Sequence, residues 1–220
     1  MHPLVSLPVT LDNHDRRIRY YELMLRHERL DDLPNFELPE GYHFAMYRPG
    51  DRDSWIAIEH SARELMGHSH GLDVWARYFG WNEAELPERM VFIENEAGEK
   101  VATATAYFDI YGRDQSGAGW LHWVAVRRED QGKGLARPLI AYALRLLRQL
   151  GHVRAIIPTQ TNTWVACKLY LDFGFRPIPE NAQRNRDGWR IIRALTDHPA
   201  LHGFDPATPE EILSGEEQQG

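Results

Sequence analysis

The chain is 220 residues long and carries 25 Lys and Arg against 32 Asp and Glu, a net charge of −7 with histidine neutral. With 43% hydrophobic and 11% aromatic residues, it has the apolar content to bury about 70% of the surface its unfolded form exposes, which excludes wholesale disorder. The acidic balance argues against sequence-independent binding of nucleic acid, which needs clustered cations, and mildly favours a cationic partner.

At roughly 150 residues per domain the length suits one generous domain, or one domain with added segments. Cys167 is the only cysteine, so an internal disulfide framework and an all-thiolate zinc site are excluded, and a reducing compartment fits best. No stretch reaches the ~20 apolar residues of a membrane helix, and Met1-His2-Pro3-Leu4-Val5 lacks the pattern of an export signal. The expectation is a cytoplasmic protein with neither a membrane nor a nucleic-acid partner.

In chain order, Asp12 or Asn13 is placed to cap a helix through residues 17–25, where Ile18, Tyr21 and Leu25 share a face at helical spacing. Residues 33–41 hold two prolines and a glycine without periodicity and read as an extended linker. Residues 1–40 are thus expected to form an N-terminal helical arm and linker. Its apolar face suits packing on the main domain, or on a second copy of the chain in a homodimer. The main domain is expected over 41–196, followed by a tail, 197–220, with one short helix.

Residues 42–47 read as a strand closed by Pro49-Gly50, after which Asp51 caps a helix through Trp55, Ile58, Glu59 and Ala62. Gly67 and Gly71 break the chain around His68 and His70, and 72–79 is a second helical stretch. Strands at 90–93 and 101–110, joined by Glu96-Ala97-Gly98-Glu99, form a hairpin. Residues 111–119 read as a loop and 120–126 as a buried strand. A helix over 135–150 follows, with Leu139, Tyr142, Leu146 and Leu150 at its period, and Pro138 tolerated in its first turn. A strand at 153–157, a short helix at 162–172 ended by Phe173-Gly174-Phe175, and a last strand at 189–195 complete the core. Thr208-Pro209-Glu210-Glu211 is a capping box with proline at the first helical position. Together these predict an α/β fold with strands of mixed direction.

The most informative stretch is Val124-Ala125-Val126-Arg127-Arg128-Glu129-Asp130-Gln131-Gly132-Lys133-Gly134-Leu135-Ala136, a strand, a glycine-bearing turn and a helix start. Helix N-terminal amides with the dipole behind them bind phosphate, and Gly132 and Gly134 leave the backbone open to an anion. A plain strand-to-helix turn is the competing reading. A Walker A loop is excluded because Gly134, not Ser or Thr, follows Lys133. The dinucleotide fingerprint fails because its third glycine falls on Arg137.

Gln131-x-x-Gly134-x-Ala136 after Val-Ala-Val resembles motif A of the GNAT superfamily of acyl-CoA N-acyltransferases, whose pattern is Arg/Gln-x-x-Gly-x-Gly/Ala. Asn162, Ala166, Leu169-Tyr170 and Phe173-Gly174-Phe175 resemble its motif B, and the resemblance runs over about 41–195. It implies a mixed, mostly antiparallel central sheet splayed between strands four and five, helices on both faces, and acetyl-CoA lying in the opening. The fourth strand is 120–126. The implied activity is transfer of an acetyl group from acetyl-CoA to a primary amine of a small molecule or peptide in a ternary complex, with CoA as product. By carry-over, the backbone of Val124, Ala125 and Val126 meets the pantetheine arm. The amides of Gln131, Gly132, Lys133, Gly134, Leu135 and Ala136 hold the pyrophosphate, with the Lys133 charge in support. Asn162 bonds the pantetheine, and Tyr170 sits beside the sulfur.

Such a transfer needs an oxyanion donor, a proton for the departing thiolate and removal of a proton from the attacking ammonium. The Val124 amide is the expected oxyanion donor and Tyr170 the acid, the alternative for Tyr170 being simple packing beneath Phe173 and Phe175. His122, two residues before Val124 and so on the same face of a regular strand, is the candidate base, directly or through water. A buried structural histidine is the alternative. Many family members use a Glu here, and residues 120–126 contain none.

His68-Ser69-His70 offers too few ligands for zinc and reads as a substrate contact or a solvated loop, so no metal is expected. Trp55, Glu59, Tyr78 and Trp81 suit an aromatic-acidic pocket for a cation, or equally core packing. Cys167, one turn before Tyr170, is expected to be a small buried hydrophobe rather than an acyl relay. Arg137, Arg145 and Arg148 point to a nucleotide phosphate or to plain surface. An acyl-CoA-binding module without turnover is the alternative function, and transfer to oxygen or of a longer acyl chain a third.

Overall fold

The computed structural model describes residue 7 and residues 10–108 and 117–214. Along the chain run β1 (Glu22–His27), β2 (Tyr42–Met46), α1 (Arg52–Ser61), α2 (His68–Tyr78), α3 (Leu86–Arg89), β3 (Met90–Asn95), β4 (Lys100–Phe108) and β5 (Gly119–Val126). There follow α4 (Ala136–Gln149), β6 (Ala155–Gln160), α5 (Trp164–Asp172), β7 (Arg176–Pro177), α6 (Pro179–Arg184), α7 (Arg186–Thr196) and α8 (Pro209–Ile212). The chain divides into two compact units, Arg29–Ala155 and Met1–Glu28 with Ile156–Gly220.

The unit Arg29–Ala155 is built on the antiparallel order β2-β3-β4-β5. β4 decides how it is covered. Ala102, Ala104 and Ala106 alternate with Thr103, Thr105 and Tyr107, so one face carries methyl groups and the other hydroxyls. Ala102 pairs with Ile93 and Ile93 with Phe44, and the Phe44 ring stacks 4.3 Å from Tyr142. The alanine face is therefore the one on which α4 lies, burying Leu139, Leu144 and Leu147, each removal from water being worth about 2 kcal/mol.

The threonine face takes α1 and α2. Tyr107 donates to the Tyr78 carbonyl at 2.8 Å, and its ring lies 5.9 Å from Phe79. Gly71 lets the two helices close, since a Cβ there would stand 2.5 Å from Ile56 Cγ2. The expected chain break at Gly71 is thus corrected: α2 starts at His68, directly after Gly67 at φ +144°. The linker after β1 is extended as expected, and Arg145 and Arg148 fasten it by donating to the carbonyls of Pro34 and Asp31.

In the other unit β6, β1 and β7 are neighbours in that order, β1 pairing antiparallel with β7 through Leu25 and Pro177. The helical arm expected over 17–25 is corrected: its second half is β1, with Leu23 and Leu25 both fully buried. Helical and strand spacings coexist in this sequence, and partners for alternate residues decided between them. Ile18 packs with Ile191, Ala207 and Ile212 of its own chain.

The strand expected at 189–195 is also corrected. It is α7, whose Trp189, Ile192 and Arg193 are buried at helical spacing, and Gly188 brings it within a Cβ's width of Tyr21 and Leu23. The strand expected at 153–157 is displaced to β6. α8 carries the anticipated capping box, Thr208 N donating to Glu211 Oε2 at 2.8 Å. Most of the loop expected at 111–119 lies outside the described residues, as do residues 1–6.

Candidate functional site

The local geometry of β5 departs from a regular strand where the chemistry was expected. Thr105 pairs with His122, but Thr103 pairs with Ala125, so two steps along β4 match three along β5. That is a β-bulge, an extra residue that bends the strand. Its mark is Trp123 at φ +49°, a left-handed conformation that is costly for so bulky a side chain. Alternation would send Trp123 to the face opposite His122. Instead its ring lies 5.2 Å from Trp55 and 5.2 Å from Tyr78 on the threonine face.

The bulge corrects the premise that placed His122 and Val124 on one face. His122 shares the threonine face with Trp123 and Ala125. Its ring is enclosed by aromatic groups, with Tyr78 at 5.2 Å, Trp123 at 5.8 Å and Trp120 at 6.1 Å.

Beyond β5 the turn is pinned by Asp130, a buried carboxylate that accepts from Arg127 Nε and Lys133 Nζ, both at 2.7 Å. Burial works against its ionisation, but these two cations hold its carboxyl below the ordinary range. The Lys133 ammonium is accordingly engaged within the turn. Gln131 folds back to donate to the Val126 carbonyl at 3.1 Å. Gly132 and Gly134 take φ of +78° and +84°, which explains glycine at both positions. A Cβ at Gly132 would meet nothing within 4 Å, and no side chain caps the start of α4. An open glycine turn leading into an uncapped 14-residue helix fits a pyrophosphate.

In the other unit, Asn162 sits in the turn before α5, its side-chain Nδ2 3.1 Å from His14 Nε2 and its backbone carbonyl accepting from Asp15 N at 2.9 Å. Tyr170 is buried on α5 with its ring 6.1 Å from Phe175. Cys167 is fully buried, and burial pushes its thiol far above the ordinary range, which opposes an acyl-cysteine relay. His68 and His70 lie in the first turn of α2, where His70 Nδ1 accepts from Met66 N at 3.2 Å.

Sequence reasoning missed Trp123, whose role comes from the bulge, and the threonines beneath α1. Alternating Ala and Thr in β4 was the available sign of a two-faced sheet.

The sequence matches the family described as Acetyltransferase (GNAT) family over residues 52–175. It is 28% identical over 150 residues to a mycothiol acetyltransferase of Pseudarthrobacter chlorophenolicus, covering 66% of this chain and 45% of that protein. A second mycothiol acetyltransferase, from Acidothermus cellulolyticus, is 28% identical over 176 residues, 70% of this chain and 50% of the relative. The chain thus spans about half the length of the curated relatives it matches. A GCN5-related N-acetyltransferase from Sphaerobacter thermophilus has the same fold at a TM-score of 0.56 and 21% identity, over 74% of this chain and 49% of that one.

Proposed function

Because the chain belongs to the GNAT acetyltransferase family, we propose that it is a cytoplasmic, acetyl-CoA-dependent N-acetyltransferase that acetylates a primary amine of a small molecule or peptide. One observation carries this reading furthest: within one unit, the bulged strand β5 runs into an open glycine turn and an uncapped helix. Residues with that geometry suit a thioester at the strand and a pyrophosphate at the turn. No helix among the described residues is long and apolar enough to cross a membrane.

In this reading the backbone of Val124, Ala125 and Val126 pairs with the pantetheine arm, and the amides from Gln131 to Ala136 receive the pyrophosphate. Asn162 bonds the pantetheine once its amide leaves His14. Acetyl-CoA supplies the activated acyl group. The Val124 amide, next to the bulge, stabilises the oxyanion that develops on the thioester carbonyl. His122 takes a proton from the acceptor, directly or through water, and does so from the threonine face. The C–N bond forms, the C–S bond breaks, and Tyr170 protonates the departing sulfur. From its relatives the reading takes the acetyl group and leaves the acceptor open.

Isothermal titration with acetyl-CoA and CoA, followed by a free-thiol assay across a panel of amines, tests it. Micromolar binding with thiol release is the expected result. Binding without release to any amine would favour an acyl-CoA-binding module without turnover, and absence of binding would overturn both.

A further inference from the structure

Glu59 is fully buried on α1, and neither of its carboxyl oxygens has a hydrogen-bond partner among the described residues. A carboxyl group left unsatisfied in a core is costly, and native structures keep such groups where something answers them. On the helix Glu59 falls between Trp55 and Ile56. Trp55 meets Trp75 and Trp123 at 5.3 and 5.2 Å, and Ile56 abuts Gly71 of α2. Glu59 therefore sits on the face of α1 that looks into the crease between α2 and the threonine face of the sheet.

Other buried polar atoms belong to α1 and to the strands beneath it. Trp55 Nε1, Trp123 Nε1, Thr103 Oγ1 and Thr105 Oγ1 are buried and likewise without partners among the described residues. Trp55 and Trp75 are buried, whereas Trp123 and Tyr78 are half-buried and form the outer rim of the crease. The crease is thus an aromatic wall with one acid behind it, the combination that attracts an organic cation. The irregular segment 62–67 follows α1, with Glu64 N donating to the Glu59 backbone carbonyl at 2.9 Å, Arg63 at φ +69° and Met66 exposed.

The cation that suits Glu59 is not the reacting nitrogen. A carboxylate bound to an ammonium holds the proton on nitrogen, whereas the attacking amine has to lose it. Resting on the acetyltransferase reading above, we propose that Glu59, with Trp55 and Trp123, binds a second cationic centre of the acceptor, so that the preferred substrate is a diamine-class compound. Burial, aided by repulsion from Glu64, pushes the Glu59 carboxyl well above the usual range. α2 carries Tyr78 and the exposed Arg77, whose guanidinium lies 5.7 Å over the Tyr78 ring; β4 carries Tyr107, β5 His122, and segment 62–67 Arg63 and Glu64. None of these is hydrogen-bonded to a Glu59 carboxyl oxygen, and a bound ammonium supplies the partner that this carboxyl lacks.

Two probes of equal chain length, 1,4-diaminobutane and n-butylamine, separate the proposal from the reading beneath it. The wild-type protein is expected to show kcat/KM about tenfold or more in favour of the diamine. Glu59→Gln, close in shape to the neutral acid, is expected to abolish that preference mainly through KM, with acetyl-CoA titration unchanged. A diamine preference that survives Glu59→Gln overturns the proposal, as does its absence from the wild type, a result that needs no variant. Acetyl-CoA binding with transfer to n-butylamine alone overturns this inference and spares the acetyltransferase reading; failure to bind acetyl-CoA removes both.

Discussion

The rings of His122 and Trp123 stack 5.8 Å apart with 23° between their planes, although consecutive residues on a regular strand point to opposite faces. The bulge in β5 makes this neighbourhood possible, and the left-handed backbone of Trp123 is where its strain resides. Trp123→Gly is expected to relieve the backbone yet lose the ring contacts with Trp55, Tyr78 and His122, for a net destabilisation of about 2 kcal/mol. Thermal unfolding measures the loss, and a variant as stable as the wild type would show that those contacts contribute little.

Gly134 occupies a left-handed turn with only Pro39 near, 3.8 Å from where a Cβ would stand. Gly134→Ala is therefore strained by conformation rather than by crowding, at about 1 kcal/mol. If its amide belongs to the pyrophosphate cradle, acetyl-CoA affinity falls about tenfold as the turn shifts. Titration calorimetry reads both acetyl-CoA and CoA; unchanged affinity would remove the turn from the cofactor site.

Tyr170→Phe keeps the ring against Phe175 and deletes the hydroxyl. Acetyl transfer is expected to drop about a hundredfold with acetyl-CoA binding retained, the range for loss of a general acid. His122→Gln should also lower transfer, and more at neutral than at alkaline pH, where the free amine forms without help. A His122→Gln rate that falls by the same factor at every pH would assign His122 to packing.

Two buried carboxyls make opposite contributions to pH stability. The Arg17 side chain holds Asp15 near a pKa of about 2, against 3.8 ordinarily, so the folded state binds fewer protons than the unfolded one. That stabilisation, about 2 kcal/mol, is present above pH 4 and lost as pH falls toward 2. Glu59 is raised instead, so the folded state binds more protons, and stability falls as pH rises above the ordinary carboxylate range. Asp15→Asn should flatten the acid limb, and Glu59→Gln the opposite one. Urea unfolding across pH reads both slopes, and limbs unmoved by either substitution would refute the assignment.

Gly71→Ala forces a methyl group onto Ile56 Cγ2, a 2.5 Å approach. Overpacking of this kind costs about 1–3 kcal/mol. Trimming the partner with Ile56→Ala should make the double variant more stable than the two single losses predict, which a double-mutant cycle in thermal unfolding measures.

Much of the Arg29–Ala155 unit was legible because its patterns are local. The β3–β4 hairpin, the extent of α4 and the glycine turn follow from residues close in sequence, although α4 buries Leu144 and Leu147 rather than Leu146 and Leu150. The errors fell where two periodicities coexisted. In 17–25 the spacing of Ile18, Tyr21 and Leu25 suits a helix, while Leu23 and Leu25 suit a strand, and pairing with β7 settled it. In 189–195 a short apolar run was compatible with either state, and the close approach that Gly188 allows toward Tyr21 and Leu23 belongs to a helix.

Residues close together in the sequence were enough for the family and the glycine turn, because a motif and a turn are each specified by a short segment. The pairing of β4 with β5 and the packing of α1 were needed to show that β5 is bulged, that His122 and Trp123 share a face, and that Glu59 is buried. A register shift depends on how two strands pair, and burial on what a third element covers; neither quantity is a property of residues neighbouring in sequence.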